Sequence, residues 1–342
     1  MNLQSHREID MRNKRHFLRR AAVFLAALTA AFGAGAALAQ APAYPAKPVR
    51  LILPVPPGGL QDVLARATAN ELTRMWGHSV IVDNRPGATG IIAAELVSRS
   101  AADGYTVFMT DNVTWMTNQF LRPKLPYDPV RDFAPVIGLV QAGNVLVTKP
   151  GFPAKSVQEL IALAKAKPGE LNYGSFGLGS APHVDTEALS ALAGIKVTHI
   201  PYKGGPDILK GLLADQISFS ITGLPPALPL IRQGRIRALA YGGLQRSQSM
   251  PEVPTLSESG LAGFDSSAWF GWLIPSAAPK SVIDKIAADA SRVITSAEFR
   301  GKYIEGVGLE VLNLAPEAFA KLIASTREIY SARLKALNLK LE

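Results

Sequence analysis

Residues 49–62 read Val-Arg-Leu-Ile-Leu-Pro-Val-Pro-Pro-Gly-Gly-Leu-Gln-Asp, an apolar run that breaks at Pro56-Pro57-Gly58-Gly59 and passes at once into a helical pattern. This order, strand then glycine turn then helix, is the opening half of a βαβ unit, and it commits the chain to an α/β architecture. It also directs the first backbone N–H groups of a helix into the turn, at the positive end of the helix dipole. Such a turn is suited to hold a small anion.

Alternation continues along the chain. Helical periodicity over 60–76 is followed by strands at 80–83 and 105–110, with a helix at 90–100 between them. A loop carrying three prolines spans 121–133. A second cycle begins at 145–148, with a helix at 156–166 whose Ser156 and Glu159 form a capping box. Tyr173-Gly174-Ser175-Phe176-Gly177-Leu178-Gly179-Ser180 then repeats the theme, a glycine-rich turn between a strand at 171–173 and a helix at 182–193. Strands at 197–200, 217–221 and 236–240 follow, with a helix at 208–214. Residues 250–256 read as a proline-rich connector, and helices at 281–295 and 316–337 close the chain. Two α/β cycles, with largely parallel strands, imply two lobes.

The N-terminus specifies the compartment. Arg12, Lys14, Arg15, Arg19 and Arg20 precede an Ala-rich apolar run that ends in Ala37-Leu38-Ala39, the pattern of a cleaved signal peptide over residues 1–39. Met11 is an alternative start, and an uncleaved anchor is the competing reading of the same run. The leader holds six of the 36 basic and two of the 27 acidic residues, leaving 30 and 25, a net charge of +5. That mild excess suits an anionic ligand and falls short of a nucleic-acid-binding profile. With no cysteine there is no disulfide, thiol nucleophile or thiolate metal site.

The chemistry-bearing motifs exclude more than they assert. Gly174, Gly177 and Gly179 do not have the G-x-G-x-x-G spacing, and there is no Walker lysine, so nucleotide binding is excluded. The five histidines are scattered, without H-x-x-x-H spacing, and no metal site is expected. His183 sits in the first turn of a helix and Ser175 lies in Gly-Ser-Phe-Gly rather than in G-x-S-x-G, which is poor support for a nucleophile. Asp62 caps the first helix or accepts from a ligand. Trp269 and Phe270 belong to the core or wall a pocket, and Lys203, beside Tyr202, is a solvated lysine or a carboxylate contact.

Ordered blocks along residues 44–340 resemble the Bug family, the periplasmic solute-binding receptors of tripartite tricarboxylate transporters. They are Tyr44-Pro45-Ala46-Lys47-Pro48, Pro56-Pro57-Gly58-Gly59 with Asp62 and Arg66, Asp83-Asn84-Arg85-Pro86-Gly87, Asp103-Gly104-Tyr105, Leu125-Pro126-Tyr127-Asp128-Pro129, Tyr173-Gly174-Ser175 with Gly177, Gly179 and His183, Pro201-Tyr202-Lys203-Gly204, Pro251-Glu252-Val253-Pro254 and Trp269-Phe270-Gly271. The resemblance implies a two-lobed periplasmic-binding-protein type II (Venus flytrap) fold, with residues 40–143 and 266–342 in one lobe and 144–265 in the other, closing on a carboxylate by hinge motion. It places Pro57, Gly58, Gly59 and Asp62 on one wall of the cleft and Ser175, Gly179, Ser180 and His183 on the other. Asp111, Asn112, Tyr202 and Trp269 complete the candidate set. The chain departs from the family where Thr89 stands in place of a frequent glycine and where Asp111-Asn112-Val113-Thr114-Trp115 replaces a small or hydroxyl-rich segment. Asp111 then pairs with a ligand ammonium or caps a helix, and Trp115 stacks on an aromatic acid or joins the core.

The expected activity is non-enzymatic capture of a small carboxylate (a di- or tricarboxylate, amino acid or aromatic acid) by a monomer, without cofactor, metal or nucleic acid, for delivery to membrane permease subunits. An exported serine hydrolase using Ser175 and His183, and a loaded receptor signalling to a membrane sensor, are the alternatives.

Overall fold

The computed structural model describes residues 44–122 and 124–336; the signal peptide expected at 1–39 lies outside them. Strand β1 (Val49–Leu53) sits between β2 (Val80–Asn84) and β3 (Thr106–Asp111), parallel to both. Its continuous aliphatic run is explained by cover on both faces. Leu51 and Leu53 face a core shared with α1 (Leu60–Trp76) and α8 (Lys280–Thr295), whereas Ile52 faces α2 (Ile91–Ser98), α3 (Asn112–Leu121) and α9 (Pro316–Ala336). Trp115 belongs to this second core, stacked on Tyr127 at 5.9 Å and edge-on to Phe133 at 4.8 Å, which resolves the choice left open for it.

The other half is built the same way. β5 (Asn172–Ser175) pairs in parallel with β6 (Thr198–Pro201) and β7 (Phe219–Gly223). Helices α4 (Val157–Ala166) and α5 (Ala181–Ala193) pack on one face and α6 (Gly205–Leu213) and α7 (Leu224–Arg232) on the other. Ser156 caps α4 as expected, its Oγ accepting from the Glu159 amide at 3.1 Å. The Glu159 carboxylate, however, accepts from the Lys155 amide rather than closing the box on Ser156.

A long strand, β4 (Phe133–Thr148), joins the halves. Residues 133–143 pair with β9 (Ser267–Pro275), and 144–148 pair with β7; β8 (Arg237–Tyr241) and β10 (Glu310–Leu314) also lie on β4, and all four pairings are antiparallel. The sheet is therefore mixed rather than largely parallel, because strands that run back and forth across the joint need no crossover helix. The sequence signals only the last residues of β4, since Pro135, Gly138 and Gly143 interrupt its pattern. The strand absorbs the first two with register shifts. Gly138 and Gly271 exist for Phe319 of α9: a Cβ at Gly271 would come within 2.2 Å of its ring, and one at Gly138 within 2.9 Å. The connector at 250–256 is not a free linker. Met250, Val253 and Leu256 are buried, and the Tyr241 amide donates to Pro254 O at 2.8 Å.

Candidate functional site

The first glycine turn leaves the C-terminal end of β1. Pro56 to Gly59 are exposed, and Gly58 takes φ +92°, a conformation that explains glycine there. The turn is held from beneath by one carboxylate. Asp62, only 3% exposed, accepts from the Gly58 amide at 3.0 Å and from Arg66 Nε at 2.9 Å on Oδ2, and from Asn84 Nδ2 at 2.9 Å on Oδ1. Burial pushes this carboxyl up, but the bonds from Arg66, Gly58 and Asn84 outweigh it and hold the group below the usual carboxylate range. Asp62 is thus occupied in ordering the loop. The first intrahelical bond of α1 is Val63 N–H to Gly59 O, so the amides of Leu60, Gln61 and Asp62 are the donors that the helix itself leaves unused.

The second turn leaves β5 and is held by different chemistry. Ser175 is completely buried. Its Oγ accepts from the Gly177 amide at 2.9 Å, lies 3.2 Å from the Gly177 carbonyl, and meets His199 Nε2 at 2.5 Å. Ser180 Oγ donates to Gly177 O at 2.7 Å. His183 Nδ1 accepts from the Gly179 amide at 3.2 Å, which requires that nitrogen to be bare. Gly177 and Gly179 have φ of +104° and +78°. Because Val184 N–H to Ser180 O opens α5, the amides of Ala181 and His183 are again the unused donors. The hydrolase alternative paired Ser175 with His183, but the imidazole on Ser175 belongs to His199, because the parallel register of β5 and β6 sets Tyr173 beside His199.

Helix α5 is anchored at depth. Asp185, 1% exposed, accepts from Arg333 Nη1 of α9 at 3.0 Å and from Asn144 Nδ2 of β4 at 3.1 Å; Arg333 also donates to Asp265 O and lies over the Phe264 ring at 4.9 Å. The second turn is thereby tied to the residue at which β4 passes from one pairing to the next.

The remaining candidates lie elsewhere. Asn112 is buried and stitches α3 to β9, donating to Ser267 O at 2.9 Å and accepting from the Trp269 amide at 3.2 Å. Trp269 is 3% exposed, edge-on to Phe319 at 5.0 Å, and donates from Nε1 to Thr326 at 3.2 Å. Both line a cavity of about 320 Å³ together with Gln141, Tyr241, Glu310 and, from α9, Thr326 and Tyr330, and no residue of either glycine turn lines it. Asp111 pairs with Phe270 across β3 and β9. The Tyr202 ring lies over Gly211 of α6, where a Cβ would come within 2.4 Å of its hydroxyl, so it packs against a helix rather than into the turn. Lys203 is exposed. Among the described residues no cluster of three or more His, Asp or Glu is arranged for a metal ion.

His199, Glu187, Asn84, Arg66, Asp185 and Arg333 were not marked as site residues by sequence reasoning. Only Asn84 and Arg66 carried a local signal, as parts of the family-like blocks. The others require strand register or the path of α9.

Comparison with known proteins identifies the family. Residues 64–339 match the model described as "Tripartite tricarboxylate transporter family receptor". Protein BugT of Bordetella pertussis is 38% identical over 263 residues, 77% of this chain and 79% of its own. Among solved structures, R. palustris Rpa4515 with adipate is 31% identical at a TM-score of 0.78, covering 87% of this chain and 99% of that one. MatC from Rhodopseudomonas palustris with bound malate is 28% identical at 0.74, covering 85% and 100%. With four-fifths of its length inside the family model and two helix-headed glycine turns pinned from below, the chain belongs to the tripartite tricarboxylate transporter receptor family.

Proposed function

We propose that this protein is a periplasmic receptor that captures a small carboxylate between two lobes and presents it to the membrane subunits of a tripartite transporter. The observation that carries the reading is the pair of strand–glycine turn–helix junctions, one on β1 and one on β5, each with first-turn amides left free by its helix. The lobes are residues 44–143 with 266–336, and residues 144–265, with β4 and the start of β9 as the hinge. The structural relatives with adipate and malate support a di-carboxylate as the ligand class. Removal of the leader at Ala39 and a monomeric state complete the proposal.

Capture without catalysis is favoured by Ser175. A nucleophile must reach its substrate, yet this hydroxyl is fully buried and carries the Gly177 amide on its oxygen. Its short contact with His199 resembles an activated serine only in distance. Calorimetric titration of the mature chain with adipate, malate, citrate and glutamate tests the reading: at least one is expected to bind 1:1. Turnover of a general ester substrate that disappears in Ser175→Ala would overturn it.

A further inference from the structure

Beneath the second turn lies a group of titratable side chains that anion capture by backbone amides does not itself require. Tyr173 and Ser175 come from β5, His199 from β6, and His183 and Glu187 from α5. The His199 ring is 4.6 Å from the His183 ring and stacks on Tyr173 at 5.2 Å, and the Tyr173 hydroxyl donates to Glu187 at 2.6 Å.

The two imidazoles are not equivalent. Ser175 has one proton and two acceptors within reach, His199 Nε2 and the Gly177 carbonyl. With Nε2 bare, the serine proton goes to the imidazole. With Nε2 protonated, the imidazolium donates to Oγ and the serine proton turns to the Gly177 carbonyl. In both states Oγ still accepts from the Gly177 amide, so the turn keeps its shape while a positive charge appears under it. His183 has no such freedom at Nδ1, because protonation there ends its bond from the Gly179 amide.

We propose that His199 is the charge-tuning residue of the second turn: it takes up a proton from solvent as a carboxylate docks on the turn, so that anion and proton binding are linked. The inference rests on the capture reading above. The groups facing His199 are Tyr173 and Ser175 from β5 and His183 and Glu187 from α5. Burial holds both imidazoles below the ordinary histidine range, while Glu187 favours their charged forms. Burial thus favours neutral His199 in the free protein, and a second anion beside Glu187 favours its charged form. Linkage makes the effect about tenfold in affinity for each unit by which the carboxylate raises the imidazole pKa.

The test is calorimetry of the mature protein with malate or adipate at pH 6.0 and 8.0, in buffers of different ionisation enthalpy. Binding several-fold tighter at pH 6.0, with a fraction of a proton taken up per ligand, is expected for the wild type. His199→Gln, whose amide oxygen accepts the Ser175 proton as the neutral imidazole does, is expected to bind with the pH 8.0 affinity at both pH values and to take up no proton. Tight binding with enthalpy independent of buffer overturns the proposal and leaves capture standing, as does His199→Gln retaining the wild-type pH dependence. Failure of adipate, malate, citrate and glutamate to bind at either pH overturns the capture reading and this inference with it.

Discussion

The two glycine turns present the same backbone chemistry and are supported by opposite means. Under Gly58-Gly59 lies Asp62, a carboxylate whose charge is fixed by Arg66, Asn84 and a backbone amide. Under Gly177–Gly179 lie an uncharged serine and two imidazoles that burial holds below the ordinary histidine range. The deeper anchors differ as well. Arg66 is half exposed, whereas Arg333 is 14% exposed and joins the second turn's helix to the strand crossing. On the proposed capture reading, the first turn is the wall whose support keeps its charge over the physiological range, and the second is the wall whose support is able to take up a proton and is tied to β4 through Asp185 and Asn144.

The largest expected effect comes from the deeper anchor. Arg333→Met leaves Asp185 buried without its cation and is expected to cost about 3 kcal/mol at pH 8, near the lower end for breaking a buried pair. Burial already holds the Asp185 carboxyl at about 7 despite the guanidinium. Without Arg333 the carboxyl rises further and accepts a proton, so the loss shrinks at pH 6. Urea unfolding at the two pH values measures both numbers, and an equal loss at each would remove Asp185 from the account.

Asp62→Ala tests the other wall. It orphans the Gly58 amide and one Asn84 donor while Arg66 turns to water, for an expected cost of about 2 kcal/mol. The same unfolding measurement is expected to show no difference between pH 6 and 8, since a depressed carboxyl contributes above about pH 4 and its stability is lost only as the pH falls through its folded value.

Smaller effects separate the turns by pH. Both histidines are held below the ordinary value, so the unfolded chain binds more protons than the folded one as the pH falls below about 6.5. Stability present above that pH is lost on acidification. Amide exchange at Gly179, whose bond to His183 ends on protonation, is expected to quicken, after correction for intrinsic rates, between pH 7 and 5.5, while exchange at Gly177 and Gly58 stays unchanged. Equal loosening at both turns would erase the contrast.

The smallest effect lies near the first wall. Thr89 takes φ +53°, ψ +42°, a left-handed conformation that disfavours a β-branched residue, and its carbonyl accepts from Asn118 Nδ2 at 2.8 Å. Thr89→Gly relieves about 1 kcal/mol of strain, partly offset by glycine's unfolded freedom, and is expected to raise Tm by one or two degrees. A fall in Tm would show that the Thr89 side chain contributes more than its backbone costs.

What the sequence disclosed about these walls follows from range. Gly58, Gly59 and Asp62 were legible because turn, cap and helix start lie within one another's reach along the chain. So were Ser175, Gly177, Gly179 and His183 as a turn. The supports were not. His199 meets Ser175 only because β5 and β6 pair in parallel at that register, and Arg333 reaches Asp185 across 148 residues. β4 was legible at its aliphatic end and hidden where Pro135, Gly138 and Gly143 interrupt it, although those residues lie along the stretch that crosses the joint. Tyr202 and Trp269 completed the candidate ligand set, Trp269 being read as core or as a pocket wall. The structure seats one on Gly211 and the other beneath α9, since large aromatic side chains beside strands gain most from burial.

If both glycine turns hold one anion, as proposed, amide chemical-shift mapping shows it directly. Titration of the labelled mature protein with malate or adipate is predicted to give saturable shifts concentrated at Leu60 to Asp62 and at Ala181 and His183, from both turns at a single dissociation constant. Saturable binding that leaves either set unmoved, with shifts centred instead on the cavity that α9 helps to line, would contradict it.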